Sequence, residues 1–212
     1  MMKNSFVILV GAGGFGREVI CWARDARAAG KFPEIRGYLD DAGDTLAKYS
    51  YGLPYLGAVT SYAAQGDESY LMGIVDCGQK ERIAEALVKK GGGLATLIHP
   101  SAVIASSAVI GGGSVVCPHA LVSADATVGR LVTINVHSSV GHDVTLGDYC
   151  TLSAHVDVTG AVAVGKKVFF GSGATVVPRI SIGDGAIIGA GAMVIRSVPE
   201  GVTMYAAPAR KL

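Results

Sequence analysis

Residues 128–146 read VGRLVT INVHSS VGHDVT L, and the aliphatic residue that opens each block of six recurs far beyond this stretch. Counting by six from Ile98 to Val194 gives seventeen positions, and every one is Ile, Val, Leu or Phe. The residue four places after each is small or β-branched, apart from Cys150. A period of six fits neither an ordinary strand nor a helix. It predicts a parallel β-helix whose flat sides each use six residues, with the aliphatic side chain pointing inward.

Three such sides make a coil of 18 residues, so the seventeen hexads of residues 98–199 make between five and six coils. No hexad is interrupted, so we expect no long loop to leave this part of the chain. Glycine follows the aliphatic residue in eight of the seventeen hexads. We expect these glycines to supply the backbone freedom that the corners need.

The first half of the chain follows a different rule, because strand-like and helix-like stretches alternate in it. The apolar runs predict strands at 6–10, 35–40 and 70–75, and the amphipathic stretches predict helices at 17–29 and 81–90. This order predicts a small parallel sheet covered by helices. We therefore expect a Rossmann-like α/β domain at 1–97, the β-helix at 98–199 and a C-terminal cap at 200–212.

Composition excludes several classes of protein. The 212 residues are 50% hydrophobic and only 17% charged, which excludes a disordered chain. The net charge is +1 and no basic block stands out, so we expect no nucleic-acid partner. The four cysteines contain no C-x-x-C pair, which favours reduced thiols in a cytoplasmic protein. The apolar run at 6–10 is too short for a signal peptide or for insertion into a membrane.

The unbroken hexapeptides have the form [LIV]-[GAED]-x-x-[STAV]-x and resemble those of the left-handed β-helix acyltransferases. With the block GAGGFGRE at 11–18 and the closing APAR at 207–210, nearly the whole chain is similar to one subfamily. These are bacterial sugar acetyltransferases known as sialic-acid O-acetyltransferases, which include the nucleotide-aminosugar N-acetyltransferases. The resemblance implies left-handed coiling, a homotrimer with sites between subunits, acetyl-CoA as co-substrate and a nucleotide sugar as substrate.

Residues 18 apart stack on one corner of the β-helix, about 4.8 Å apart, and this places His142 between Ala124 and Gly160. The resemblance implies that His142 is the general base and that Asp143 orients it. Imidazole suits this role because it titrates near neutral pH. The resemblance also implies an oxyanion donor at the Gly160 amide, and Asn135 stands where relatives carry an asparagine.

Acetyl-CoA is expected along the coils beyond the base, where small residues expose the backbone. The residues that we assign to it, besides Gly160, are Gly173, Ala190, Pro208 and Arg210. Of these, Pro208 and Arg210 belong to the terminal motif that the resemblance places near the adenine and its phosphate. A tail that only caps the last coil is the alternative interpretation of that motif.

The glycine loop after the first strand has the pattern G-x-G-x-x-G, which is typical of a diphosphate at a helix N-terminus. By itself it would also fit NAD, but a domain of about 95 residues has room for only half of a dinucleotide fold. The resemblance assigns it instead to the diphosphate of a nucleotide sugar. The expected binding residues, all in one cleft, are Gly11, Gly13, Gly14, Phe15, Asp40, Asp41 and Gly78.

Other functions remain open at this stage: O-acetylation of sialic acid or a related sugar, and a non-catalytic trimer that binds nucleotide sugars. A third is a zinc hydratase, because His137 and His142 have the H-x4-H spacing of the γ-class carbonic anhydrases. The place of that family's further ligand holds Ser101, so we expect no metal. The arithmetic also stacks His119, His137 and His155 in one column, which we interpret as a surface ladder.

Overall fold

The computed structural model describes residues 6–63 and 68–207. Its first part contains, in chain order, β1 (Phe6–Val10), α1 (Gly14–Ala28), β2 (Ile35–Leu39), β3 (Tyr55–Gly57), β4 (Glu68–Met72), α2 (Cys77–Lys89) and β5 (Gly93–Leu94). The strands form one parallel sheet in the order β3-β2-β1-β4-β5. The predicted α/β domain is confirmed. Within the described residues, no helix is long and apolar enough to cross a membrane.

The sequence interpretation missed some details of this domain. Strands β3 and β5 are three and two residues long, too short to show a period. Helix α2 begins at Cys77 rather than at 81 because Asp76 caps it, its carboxylate accepting a hydrogen bond from the Gln79 N–H at 2.7 Å. Helix α1 begins at Gly14 rather than at 17, with Gly13 at its N-cap.

The second part consists of two-residue strands. They are β6 (Leu97–Ile98), β7 (Val103–Ile104), β8 (Val109–Ile110), β9 (Val115–Val116), β10 (Leu121–Val122), β11 (Thr127–Val128), β12 (Thr133–Ile134), β13 (Ser139–Val140), β14 (Thr145–Leu146), β15 (Thr151–Leu152), β16 (Asp157–Val158), β17 (Ala163–Val164), β18 (Phe169–Phe170), β19 (Thr175–Val176), β20 (Ser181–Ile182), β21 (Ile187–Ile188), β22 (Met193–Val194) and β23 (Thr203–Met204). They pair in parallel as three sheets and make about six coils. From β6 to β22 each strand pairs with the strand 18 residues away, as the hexad arithmetic predicts.

The three sheets are the faces of a prism. The first face contains β6, β9, β12, β15, β18, β21 and β23; the second contains β7, β10, β13, β16, β19 and β22; the third contains β8, β11, β14, β17 and β20. The hexad-opening residues point inward as predicted, and from Val116 to Val194 all of them are buried. Removal of this apolar surface from water is the main favourable contribution to the fold.

The glycines after the aliphatic residues have a different role from the one expected. Residues with a positive φ do recur every six places, from Gly113 (φ 78°) to Gly191 (φ 66°), but ten of those fourteen are not glycine. The glycines that follow the aliphatic residues lie two positions before the residues with a positive φ. A Cβ on Gly111 would lie 2.4 Å from the Gly129 carbonyl carbon, and a Cβ on Gly171 would lie 2.4 Å from the Ala190 nitrogen. Glycine is needed there because adjacent coils approach too closely for a side chain.

The N-terminal domain lies on the first face of the β-helix. The outward-pointing residues Leu97, Val115, Thr133 and Thr151 of that face are all 0–1% exposed. The corresponding residue Val103 on the second face is 62% exposed, and Val109 on the third is 59% exposed. The domain therefore covers the first four strands of the first face, whereas Ile187 further along the same face is 45% exposed.

Lys80 of α2 joins the two domains. Its side chain is 1% exposed, and its Nζ donates hydrogen bonds to Thr133 Oγ1 at 3.2 Å, to the Cys150 carbonyl at 3.1 Å and to Thr151 Oγ1 at 3.1 Å. Burial lowers the pKa of this ammonium group to about 8. Thr151 in turn donates to the Val75 carbonyl at 2.7 Å. This polar contact fixes the position of α2 relative to coils three and four.

Candidate active site

Three corners of the prism carry the side chains of interest. The first corner joins the first face to the second, the second corner joins the second face to the third, and the third corner leads back to the first face. In the coil that starts with β12, these corners are residues 135–138, 141–144 and 147–150. The second corner is the edge opposite the first face, and it is therefore the edge farthest from the N-terminal domain.

His142 lies on the second corner and is open to solvent, with 65% of its side chain exposed. Its Nδ1 lies 2.7 Å from Asp143 Oδ2. In the neutral ring with the proton on Nδ1, that proton is donated to Asp143 and the lone pair of Nε2 is free to accept a proton. This is the arrangement that a general base requires.

Gly160 lies directly beside the imidazole ring. A Cβ built on it would lie 2.4 Å from His142 Nε2, so a side chain there would collide with the ring. The column that the sequence predicts is confirmed, because the Asp143 N–H donates to the Ala124 carbonyl and the Ala161 N–H donates to the His142 carbonyl. The fold thus brings His142, Asp143 and Gly160 together.

Asn135 lies on the first corner, not on the second. Its Oδ1 accepts a hydrogen bond from the Val136 N–H at 2.7 Å. Gly173 is also on the first corner, where its N–H donates to the Ala154 carbonyl at 3.0 Å, and Ala190 lies one coil further on. Of the expected acetyl-CoA residues, these two are thus on a different corner from Gly160. Pro208 and Arg210 lie outside the described residues.

The predicted histidine column is on the first corner. The ring centroids of His119 and His137 are 5.1 Å apart and those of His137 and His155 are 5.0 Å apart, with the planes nearly parallel. All three residues are exposed. His137 and His142 lie on adjacent corners, so the H-x4-H pair does not converge on one point. Within residues 6–63 and 68–207, no group of three or more His, Cys, Asp or Glu residues has the arrangement of a metal site.

The glycine loop lies at the carboxyl end of β1, where the parallel strands end. Gly11 has a φ of 84°, and a Cβ on Gly16 would lie 2.1 Å from the Gly11 carbonyl oxygen. Asp40 holds this loop, because its Oδ2 accepts a hydrogen bond from the Ala12 N–H at 2.9 Å and its Oδ1 accepts one from the Ala42 N–H. The Asp40 carboxylate is therefore a positioning group for the loop backbone.

A groove of about 410 Å³ opens beside the loop. It is lined by Ala12, Gly13, Gly14, Arg17, Asp44, Thr45, Ala47, Lys48 and Tyr49. The sequence interpretation missed Arg17, Lys48 and Tyr49. The last two come from a stretch with no periodic pattern, and only the contact between that stretch and α1 reveals them. Phe15 is half-buried, and its ring packs edge-on against Trp22 at 5.8 Å.

Two of the residues expected to bind the nucleotide sugar, Gly78 and Asp41, do not line the glycine-loop groove. Gly78 lines a separate cavity of about 460 Å³ between α2 and the β-helix, together with Phe169 and Ile187. Asp41 lines a third cavity of about 260 Å³ against α2, and its Oδ1 accepts a hydrogen bond from the Thr60 N–H.

Comparison with known proteins agrees with this architecture. Residues 6–87 match the model of the family described as the PglD N-terminal domain. The chain is 31% identical to PerB from Caulobacter crescentus, solved in complex with CoA and GDP-perosamine, with 98% of this chain and 97% of that chain covered and a TM-score of 0.85. The chain belongs to the hexapeptide-repeat sugar acetyltransferases.

Two further members of this family are similar over nearly their whole length. The acetyltransferase domain of PglB from Neisseria gonorrhoeae is 29% identical, with 99% of this chain and 100% of that chain covered and a TM-score of 0.85. It has also been solved in complex with acetyl coenzyme A. WeeI from Acinetobacter baumannii is 28% identical, with 98% and 99% covered and a TM-score of 0.84. None of the curated protein sequences matches the chain.

Membership of this family makes the chain an acyltransferase homologous to acetyl-CoA-dependent sugar N-acetyltransferases. The family resemblance and the fold that were expected from the hexads are therefore confirmed.

Proposed function

We propose that this protein transfers the acetyl group of acetyl-CoA to the amino group of a nucleotide-linked 4-amino sugar. The observation that carries the proposal is the exposed His142, held through Nδ1 by Asp143 and placed beside Gly160. The groove at the glycine loop of the same chain supports a nucleotide-linked substrate. PerB, whose fold and length this chain shares, binds CoA and GDP-perosamine.

In the proposed reaction, the lone pair of the sugar amine attacks the carbonyl carbon of the thioester. His142 Nε2 accepts the proton that the amine loses. The tetrahedral oxyanion is stabilised by the Gly160 N–H. It collapses by breaking the C–S bond, and the imidazolium returns its proton to the sulfur of CoA. The products are the sugar amide and free CoA, and no covalent enzyme intermediate is required.

Asp143 has two tasks in this scheme. It holds the ring so that Nε2 rather than Nδ1 meets the amine, and its negative charge stabilises the imidazolium that forms. Asn135 is assigned to orientation of the sugar or of the base, from a neighbouring corner. Gly173, Ala190, Pro208 and Arg210 are assigned to acetyl-CoA.

We further propose that the protein is a homotrimer whose active sites lie between subunits. The N-terminal domain lies on the first face of the β-helix, and His142 lies on the opposite corner of the prism. We therefore expect a sugar attached to a nucleotide in the groove of one chain to be out of reach of His142 of the same chain. A second copy must therefore supply the histidine. In a closed ring of three, each subunit supplies its histidine to the site of a neighbouring subunit.

The test is thiol release from acetyl-CoA with a panel of UDP-, dTDP- and GDP-linked 4-amino-4,6-dideoxy sugars, with free sialic acid included. We expect turnover on one amino sugar. In His142→Ala, kcat should fall by about 10²–10⁴-fold with no change in melting temperature. The rate should rise with pH as the sugar amine loses its proton, because only the neutral amine has a lone pair that can attack the thioester.

The alternatives predict other outcomes of the same panel. Turnover only on sialic acid would mean O-acetylation, the second candidate function. Binding of a nucleotide sugar without any thiol release would mean a non-catalytic binding trimer. If His142→Ala keeps more than about a tenth of the wild-type rate, His142 is not the base.

A further inference from the structure

Two cationic side chains line the glycine-loop groove, one from α1 and one from the segment that follows β2. Arg17 comes from the first turn of α1, and its guanidinium carbon lies 4.4 Å from the centre of the Tyr49 ring. Lys48 comes from the segment after β2, and its Nζ lies 5.3 Å from the centre of the same ring. All three side chains line the groove together with Gly13 and Gly14.

Neither cation is neutralised within the part of the chain that the structure describes. Arg27, Arg130 and Lys167 each have a carboxylate oxygen within 4.0 Å, whereas Arg17 and Lys48 have none in residues 6–63 and 68–207. Like charges that face one groove repel each other, and an anion bound between them removes that cost.

The carboxylate that lines the groove is engaged elsewhere. Asp44 accepts a short hydrogen bond from the hydroxyl of Tyr38, a fully buried residue of β2. The same hydroxyl accepts a hydrogen bond from the Leu46 N–H at 3.2 Å. These bonds tie residues 44–46 to the sheet, and Lys48 and Tyr49 follow directly. The cations are thus held in place before a ligand binds, which lowers the entropic cost of binding.

We propose that Arg17 and Lys48 bind the diphosphate of the nucleotide substrate, and that the Tyr49 ring holds both cations at the edge of the glycine-loop groove. This inference rests on the proposed function, since it assumes that a nucleoside diphosphate group enters this groove. A planar guanidinium can donate two parallel hydrogen bonds to one phosphate, and the ammonium of Lys48 supplies a second positive charge. The arrangement selects for a diphosphate over a monophosphate, because two cations face two phosphates.

A similar pair on the same helix provides a matched control. Arg24 stands seven residues after Arg17 on α1, and its guanidinium carbon lies 5.9 Å from the centre of the Tyr51 ring. Arg24 and Tyr51 also connect α1 to the segment after β2, but neither lines the glycine-loop groove. A change at Arg24 therefore disturbs the same chain contact without removing a charge from the groove.

The experiment is calorimetric binding of UDP, dTDP, GDP and the corresponding monophosphates to the full-length wild type, Arg17→Met, Lys48→Met and Arg24→Met. For the diphosphate that binds best, we expect Arg17→Met and Lys48→Met each to raise Kd by about 10–100-fold, because each removes a charge-assisted contact. The preference for diphosphate over monophosphate should shrink in both. Arg24→Met should change Kd by less than about threefold, and the Kd of acetyl-CoA should stay the same in all variants.

Three outcomes would count against the inference or its basis. If Arg17→Met and Arg24→Met weaken binding equally, the cations only hold the segment after β2, and the inference is wrong. If the wild type binds a diphosphate and Arg17→Met binds it as well, the inference fails while the proposed function stands. If the wild type binds none of the nucleotides, the proposed function itself fails.

Discussion

Because Lys80 is buried, we expect the free energy of unfolding to depend on pH in an unusual way. In the folded protein its pKa is lowered from 10.5 to about 8 by burial, whereas in the unfolded chain it returns to the ordinary value. Between these two values the unfolded state binds more protons than the folded state. The free energy of unfolding therefore rises with pH in this window. The full pKa shift corresponds to about 3 kcal/mol in the free energy of unfolding. Between pH 7 and pH 9 the free energy of unfolding rises by about 1 kcal/mol of this amount.

The comparison that isolates this effect is with Lys80→Met, which keeps most of the apolar stem and cannot titrate. At pH 9 the variant should be less stable by about 2 kcal/mol, because Thr133 Oγ1 and the Cys150 carbonyl lose their buried donor. At pH 7 the difference should be smaller by about 1 kcal/mol, because the wild type then carries a buried charge. Lys89→Met, an exposed position on the same helix, is the matched control and should show no such trend.

Urea unfolding followed by circular dichroism at pH 7, 8 and 9, at one protomer concentration, measures these differences. Other titrating groups are common to both proteins and cancel when the two are subtracted. A difference between wild type and Lys80→Met that stays constant across this range would refute the reasoning. It would mean that water reaches the ammonium group and that the domains are not fixed by a buried contact.

The remaining predictions concern the second corner, which carries His142, and the assembly of subunits. Gly160→Ala should lower kcat by at least about tenfold with little loss of stability, because its Cβ displaces the imidazole of His142 rather than backbone. Gly171→Ala should instead lower the melting temperature, because its Cβ meets backbone. Equal effects of the two variants on kcat and on melting temperature would contradict this distinction. Mixed oligomers of His142→Ala and Gly14→Trp chains, each inactive alone, should recover roughly a quarter of wild-type activity if sites form between subunits. No recovery in oligomers shown to be mixed would mean that each site lies within one chain.

Much of the β-helix can be predicted from the amino-acid sequence, because the aliphatic residues keep one fixed spacing along the chain. A strict period of six leaves one way to place every aliphatic residue inside, and stacking by 18 follows from three equal faces. The same arithmetic correctly placed Gly160 beside His142 and stacked His119 on His137. It suggested the wrong reason for the glycines, because a one-dimensional pattern does not show how closely adjacent coils approach.

The contact between the domains was not visible in the sequence. Lys80 looks like an ordinary charged residue on an amphipathic helix, and nothing periodic marks Thr133 or Thr151 as its partners. The contact of Gly78 with the cavity that Phe169 and Ile187 also line is likewise invisible in the sequence. Such contacts join residues far apart in the chain, and local patterns carry no information about them.

The sequence alone determined the repeat, the inward-facing residues, the stacking of Gly160 beside His142 and the order of the two domains, because each depends on spacing along the chain. Only the tertiary structure decided which face of the β-helix the N-terminal domain covers, and hence that His142 stands on the opposite corner. It also decided that Arg17 and Lys48 share one groove. These features depend on packing between elements, where side chains distant in sequence meet under the constraints of shape and hydrogen bonding.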